Sequence, residues 1–128
     1  MKILLIEPDR PLAEIYAQAL SKAGHTVTVA MGAQSGISAA DHQTPDLVLL
    51  ELQLAAHSGI EFLYEFRSYA DWRAVPVLIL SQVAPQEFLD NWPLLRDRLG
   101  VRAYLYKPAT TLKELERAID ESLVLEAA

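Results

Sequence analysis

Apolar residues fall into short runs and helical stripes that alternate along the chain. KILLI at 2–6 ends in Glu-Pro and reads as a strand buried on both faces. Leu12, Ile15, Tyr16, Ala19, Leu20 and Ala23 then recur at spacings of three and four, with Pro11 in the first turn and Gly24 just past the end, which predicts an amphipathic helix. HTVTVA at 25–30 is β-branched and partly alternating, a second strand. A weaker helical stripe, Ile37, Ala39 and Ala40, covers 33–42 and is broken by Thr44-Pro45. LVLL at 47–50 is a third strand, and Ser58 is placed to cap a helix reaching about Tyr69, with Ile60, Phe62, Leu63 and Phe66 inward. VPVLILS at 75–81 and RAYLY at 102–106 complete five strands. Between them, residues 86–99 have helical spacing but carry Pro93, so a kink or break is expected there. Thr111 and Glu114 have the spacing of a capping box ahead of Leu115, Ile119, Ser122 and Leu123 on one face of a last helix.

Five strands alternating with helices predict an α/β domain with a doubly wound parallel sheet. The whole chain, residues 1–128, is expected to be one domain, with no output region after it. Its 52% hydrophobic content is enough for one core, and the lack of cysteine excludes disulfides and thiolate metal sites. Runs such as ILLI are too short to span a bilayer, and the N-terminus lacks the long apolar stretch of a signal peptide, so a cytoplasmic protein is expected. A net charge of −6 disfavours a phosphate backbone, so no nucleic acid and no membrane are expected as partners. His25, His42 and His57 lie at element ends without metal-ligand spacing.

In open parallel sheets, functional residues collect at the carboxyl ends of the strands. Here those ends carry Glu7, Pro8 and Asp9, then Ala30, Glu51, Ser81 and Lys107-Pro108. With KILLIEPD, PDLVLLELQL followed by Ser58-Gly59, VPVLILS and AYLYKP in register, the chain resembles the receiver domain of bacterial response regulators over nearly its whole length. The resemblance implies a flavodoxin-like (βα)5 fold with strand order 2-1-3-4-5. It also implies a phosphorylation pocket, in which two acids after the first strand and an aspartate ending the third hold Mg²⁺. That aspartate accepts a phosphoryl group, a hydroxyl and a lysine bind the product, and an aromatic residue turns with them. Carried over by position, Glu51 is the phosphoacceptor, Ser81 the hydroxyl, Lys107 the cation and Tyr104 the aromatic switch, with Glu7 and Asp9 left as a vestigial acidic pocket.

Three positions depart from the family pattern. Glu51 replaces an aspartate, and its extra methylene moves the carboxylate by about 1 Å, a displacement that costs about 100-fold where positioning governs phosphoryl transfer. Pro8 stands where the second acid belongs and offers neither a side-chain oxygen nor an N–H. Gln82 stands where a small residue keeps phosphate access open, and it is expected to crowd that path. The residues therefore predict a pseudo-receiver with at most vestigial autophosphorylation or dephosphorylation, which needs no cofactor and signals by protein contact, with Glu51 reaching Lys107. A histidine kinase or a downstream effector is the expected partner, or a second copy through the last two helices. In one alternative the receiver still works, with Asp9 as substitute ligand and Mg²⁺ bound. In a second the fold carries a small ligand, although EPDRP has neither the glycines of a nucleotide loop nor the histidine of a cobalamin domain.

Structural roles stand beside these. Asp9 is equally suited to cap the first helix, Ser81 to satisfy a loop carbonyl, and Tyr104 to pack. Phe88 and Trp92 lie in the 86–99 segment, where receivers make contacts. Trp92 beside Pro93 is expected to be an exposed partner anchor, since tryptophan is over-represented at binding hot spots.

Overall fold

The computed structural model describes residues 1–127. Strands β1 (Lys2–Ile6), β2 (Thr26–Ala30), β3 (Leu47–Leu50), β4 (Val77–Ser81) and β5 (Val101–Tyr106) form one parallel sheet in the order β2-β1-β3-β4-β5. Helices α1 (Arg10–Lys22), α2 (Ala33–His42), α3 (Gly59–Ser68) and α4 (Leu112–Ala127) connect and cover it. The order arises because the chain winds outward from β1 to β2 and then back past β1 to β3. That reversal opens a crevice at the carboxyl ends of β1 and β3.

Strand side chains alternate between two cores. Ile3, Leu5, Leu47, Leu49, Leu78 and Leu80 face Ala13, Tyr16 and Leu20 of α1 and Leu115 and Ile119 of α4. Leu4, Ile6, Val48, Leu50, Val77 and Ile79 face Ala40 of α2 and Phe62, Leu63 and Phe66 of α3. Because both faces of the central strands are covered, β3 and β4 carry no exposed residue at all. The second core is anchored by stacked rings, Phe62 on Phe66 with centroids 5.3 Å apart and Phe66 on Trp72 at 5.0 Å.

Helix starts follow the expected caps. The Asp9 carboxylate accepts from Leu12 N at 3.1 Å, Ser58 Oγ accepts from Glu61 N at 3.1 Å, and Thr111 and Glu114 form a reciprocal box at 3.1 Å each way. At the end of α1, Gly24 takes φ +99°, a conformation that favours glycine, and the chain turns into β2.

The 86–99 segment differs from the broken helix that its spacing predicts. It holds a 3₁₀ turn, Pro85–Phe88, and a five-residue π turn, Leu94–Arg98, into which Trp92 and Pro93 lead in helical conformation. Pro93 cannot donate to Leu89, so Trp92 bonds Leu89 O, Leu95 bonds Asn91 O, and Leu99 reaches back five residues to Leu94 O. Arg67 of α3 ties this segment down. Its guanidinium donates to the carbonyls of Leu99 (2.8 Å), Trp72 (2.7 Å), Arg73 (3.3 Å) and Gly100 (3.3 Å). Burial lowers its pKa to about 10, helped by the charge of Arg102.

Candidate functional site

The crevice is built from strand ends. β1 ends at Ile6, and Glu7 is fixed by its N–H donating to Ala30 O at 2.9 Å; β3 ends at Leu50, and Glu51 N donates to Ile6 O at 3.0 Å. Both residues are about 97–98% buried, with exposures of 2% and 3%. Gly59 lets the start of α3 close over this edge, since a Cβ there would meet Glu51 O and Leu52 Cα at 2.8 Å. Lys107 follows β5, two strands away from β3. Adjacent strands are about 4.8 Å apart, so the lysine and glutamate side chains both have to extend to meet over the end of β4, where Ser81 stands.

They do meet. Lys107 Nζ donates to Glu51 Oε1 at 2.5 Å and also to Glu7 Oε1, and its side chain is only 5% exposed. Glu51 Oε1 accepts a second hydrogen bond, from Gln82 N at 3.1 Å. Its Oε2 accepts from Ser81 Oγ and from Gln53 N at 3.1 Å. Glu7 Oε2 accepts from Asp9 N at 3.1 Å. Burial alone pushes the Glu51 carboxyl up, but the hydrogen bonds from Lys107, Ser81, Gln53 and Gln82 outweigh it and hold the group below its ordinary value. For Lys107, burial works to lower the pKa, and the two glutamates overcome it and raise it. The pocket is thus an ionised, hydrogen-bonded cluster in which two carboxylates share one ammonium.

From Ser81 the hydrogen bonds continue outward. Val83 N donates to Ser81 Oγ at 3.0 Å, and Tyr104 OH donates to Val83 O at 2.6 Å. Burial is the main cause that pushes the Tyr104 phenol up to about 12. Its ring lies 6.1 Å from that of Phe88, and together with Pro85, Leu89 and Trp92 they line an apolar groove of about 260 Å³.

The structure therefore joins Glu51, Lys107, Ser81 and Glu7 and attaches Tyr104 to them. It corrects three expectations. Asp9 is not part of the acidic pocket: its carboxylate is exposed and bound to the first turn of α1, and only its N–H reaches Glu7. Gln82 is exposed, and what it brings to the site is its backbone N–H on Glu51. Trp92 is not the exposed anchor. It is half-buried against the second core, because the turn at Pro93 points it inward, while Leu89 is 66% exposed. Sequence reading missed the backbone donors of Gln53 and Gln82 and the Arg67 clamp. An arginine on the otherwise apolar face of α3 was the one available signal for the last.

A receiver pocket would hold Mg²⁺ through two or more carboxylates, and the residues present do not fit one. Pro8 has no donor oxygen, Asp9 is turned to α1, and every oxygen of Glu7 and Glu51 already accepts at least one hydrogen bond. Among the described residues, no three His, Cys, Asp or Glu side chains are gathered where they could hold a metal ion. Nor is any described helix long and apolar enough to cross a membrane.

The five-stranded parallel sheet with order 2-1-3-4-5, and acid, hydroxyl and lysine converging at the β1/β3 crevice, define a receiver-type domain. The family model of the response regulator receiver domain matches residues 3–120, and the chain belongs to that family. Among sequence relatives, the KDP operon transcriptional regulatory protein KdpE of Escherichia coli (strain K12) is 35% identical over 106 residues, 83% of this chain and 44% of that protein. The probable transcriptional regulatory protein TcrX of Mycobacterium tuberculosis is 35% identical over 79 residues, 62% of this chain and 33% of that protein. The chain spans less than half the length of either relative. Among solved structures, a CheY-like receiver domain protein from Methanospirillum hungatei JF-1 has the same fold, with a TM-score of 0.85 at 22% identity over 98% of this chain and 95% of that one.

Proposed function

We propose that this two-component receiver domain is a pseudo-receiver: it takes no phosphoryl group, has no enzymatic activity and signals from the cytoplasm by protein contact. One observation carries the reading. Ser81 Oγ and Lys107 Nζ, the two groups that a receiver offers to an incoming phosphoryl group, are both bonded to the carboxylate of Glu51 itself. Glu51 thus stands in for part of the modified state, with about one negative charge where a phosphoryl group brings nearly two. Its chain of bonds through Ser81 and Val83 to Tyr104 holds the neighbouring loop in one position. The working-receiver alternative loses its support, since Asp9, its substitute ligand, is spent on the helix cap. The contact surface in this reading is the groove of Phe88, Leu89, Trp92 and Tyr104, and its partner is a histidine kinase or an effector.

Intact-mass spectrometry after incubation with a small phosphodonor and Mg²⁺ tests the reading. The expected result is an unmodified chain. A stable addition of about 80 Da on Glu51, the mass of a phosphoryl group, overturns it.

A further inference from the structure

Between α2 and the turn that follows α3 lies a cavity of about 360 Å³, at the small end of the range for ligand sites. We propose that it is a docking site for an arginine of a partner protein, held by its guanidinium and by the peptide carbonyl beside it.

Helix α3 ends at Ser68. The 3₁₀ turn Ala70–Trp72 then brings the Trp72 ring inward onto Phe66 and leaves Tyr69 tilted against it, with centroids 4.7 Å apart. On the facing wall Gln34, Ser38 and Asp41 stand on one stripe of α2, at spacings of four and three, and Asp71 completes the lining. Trp72 is only 6% exposed, yet its indole N–H has no hydrogen-bond partner among the described residues, where every fully enclosed side-chain nitrogen and oxygen has one. The donor is therefore open to the cavity that the ring lines, and an occupant has to bring it an acceptor.

The charge of the walls selects the rest of the occupant. The ion pairs of the described residues involve neither Asp41 nor Asp71, and Arg67 of α3 is spent on four carbonyls. Asp41 lies in the last turn of α2 and Asp71 just past α3, where the carbonyl ends of the two helices add negative potential. An anion is repelled here, and a bare cation leaves the indole N–H unserved. A peptide arginine answers both walls, with a guanidinium that only donates and a main-chain carbonyl next to it. Its planar cation is weakly hydrated and can lie on the ring of Tyr69, which is 47% exposed, where a lysine ammonium would stay in water. Asp41, Tyr69 and Asp71 are all exposed, so the mouth is open to a side chain reaching in from another protein. The cavity shares no residue with the crevice or with the groove of Phe88 and Leu89, and the assignment stands whether or not Glu51 takes a phosphoryl group.

The two tryptophans, Trp72 and Trp92, give two indole N–H signals in the proton–nitrogen spectrum of ¹⁵N-labelled protein. Titration with the peptide acetyl-Ala-Arg-Ala-amide at constant ionic strength is expected to move the Trp72 signal saturably, with a Kd of about 1–10 mM, and to leave Trp92 in place. The citrulline peptide, of the same shape but uncharged, is expected to bind about five-fold more weakly, and the lysine peptide also more weakly than arginine. Asp41→Asn combined with Asp71→Asn, two exposed positions, is expected to lose about five-fold in affinity for the arginine peptide, the size of two exposed charge contacts. A Trp72 signal unmoved at about 20 mM peptide overturns the proposal, as does equal binding of the citrulline or lysine peptide or equal binding by the double variant. Free arginine binding more tightly than the peptide overturns the protein partner in favour of a small ligand.

Discussion

Replacing Glu51 by Gln keeps the shape of the side chain and removes its charge. The carboxylate accepts from four donors, Lys107 Nζ, Gln82 N, Ser81 Oγ and Gln53 N, two on each oxygen. An amide has one oxygen, so its NH₂ group would face two donors in a site that is 3% exposed. Breaking a buried ion pair by removing one partner costs about 3–5 kcal/mol. Lys107 keeps Glu7, however, so the lower part of that range applies, and about 3 kcal/mol is expected. For 128 residues the unfolding entropy near 60 °C is about 0.27 kcal/mol/K, which converts this loss to about 11 °C in Tm. Glu7→Gln should cost less than half as much, because Glu7 holds only Lys107 and Asp9 N. The pH dependence carries its own sign. The folded carboxyl of Glu51 lies below its ordinary 4.5, so its contribution is fully present above the unfolded value and is lost as pH falls through the depressed folded value. Urea titrations should thus show a constant gap between wild type and Glu51→Gln at about pH 6–8 that closes as pH drops below about 4. A gap under 1 kcal/mol at neutral pH, or one that persists unchanged into acid, would refute the reasoning.

Two further substitutions separate structure from site. Asp9→Ala should cost about 1 kcal/mol, the worth of an N-cap, and leave the Glu51–Lys107 cluster intact; an effect several times larger in urea titration would return Asp9 to the pocket. Arg67→Met leaves the carbonyls of Leu99, Trp72, Arg73 and Gly100 without their donor, and a loss of about 2–3 kcal/mol is expected, with faster proteolysis within residues 89–100 than in wild type. Unchanged cleavage there would mean that Arg67 does not hold the segment.

Local residue patterns were enough to place the sheet, its helices and the edge where chemistry collects. Strand runs and helical stripes register which side chains meet the core, and burial on both faces leaves β3 and β4 one reading. The caps at Asp9, Ser58 and Thr111 were legible because a cap needs only three or four residues of one segment. The meeting of Glu51 and Lys107 followed from two strand ends on one edge. Contacts between distant segments are set only on folding, because no local pattern records their directions. Glu7 shares the ammonium, Asp9 leaves the cluster, and Gln53 and Gln82 enter it through backbone N–H groups that carry no residue identity. The 86–99 segment shows the same limit. Its apolar spacing suits a helix, but Pro93 removes one donor and Arg67, from a different helix, takes the carbonyls of Leu99 and Gly100. The resulting turns point Trp92 in and Leu89 out, and only the packing against the sheet could choose between the two.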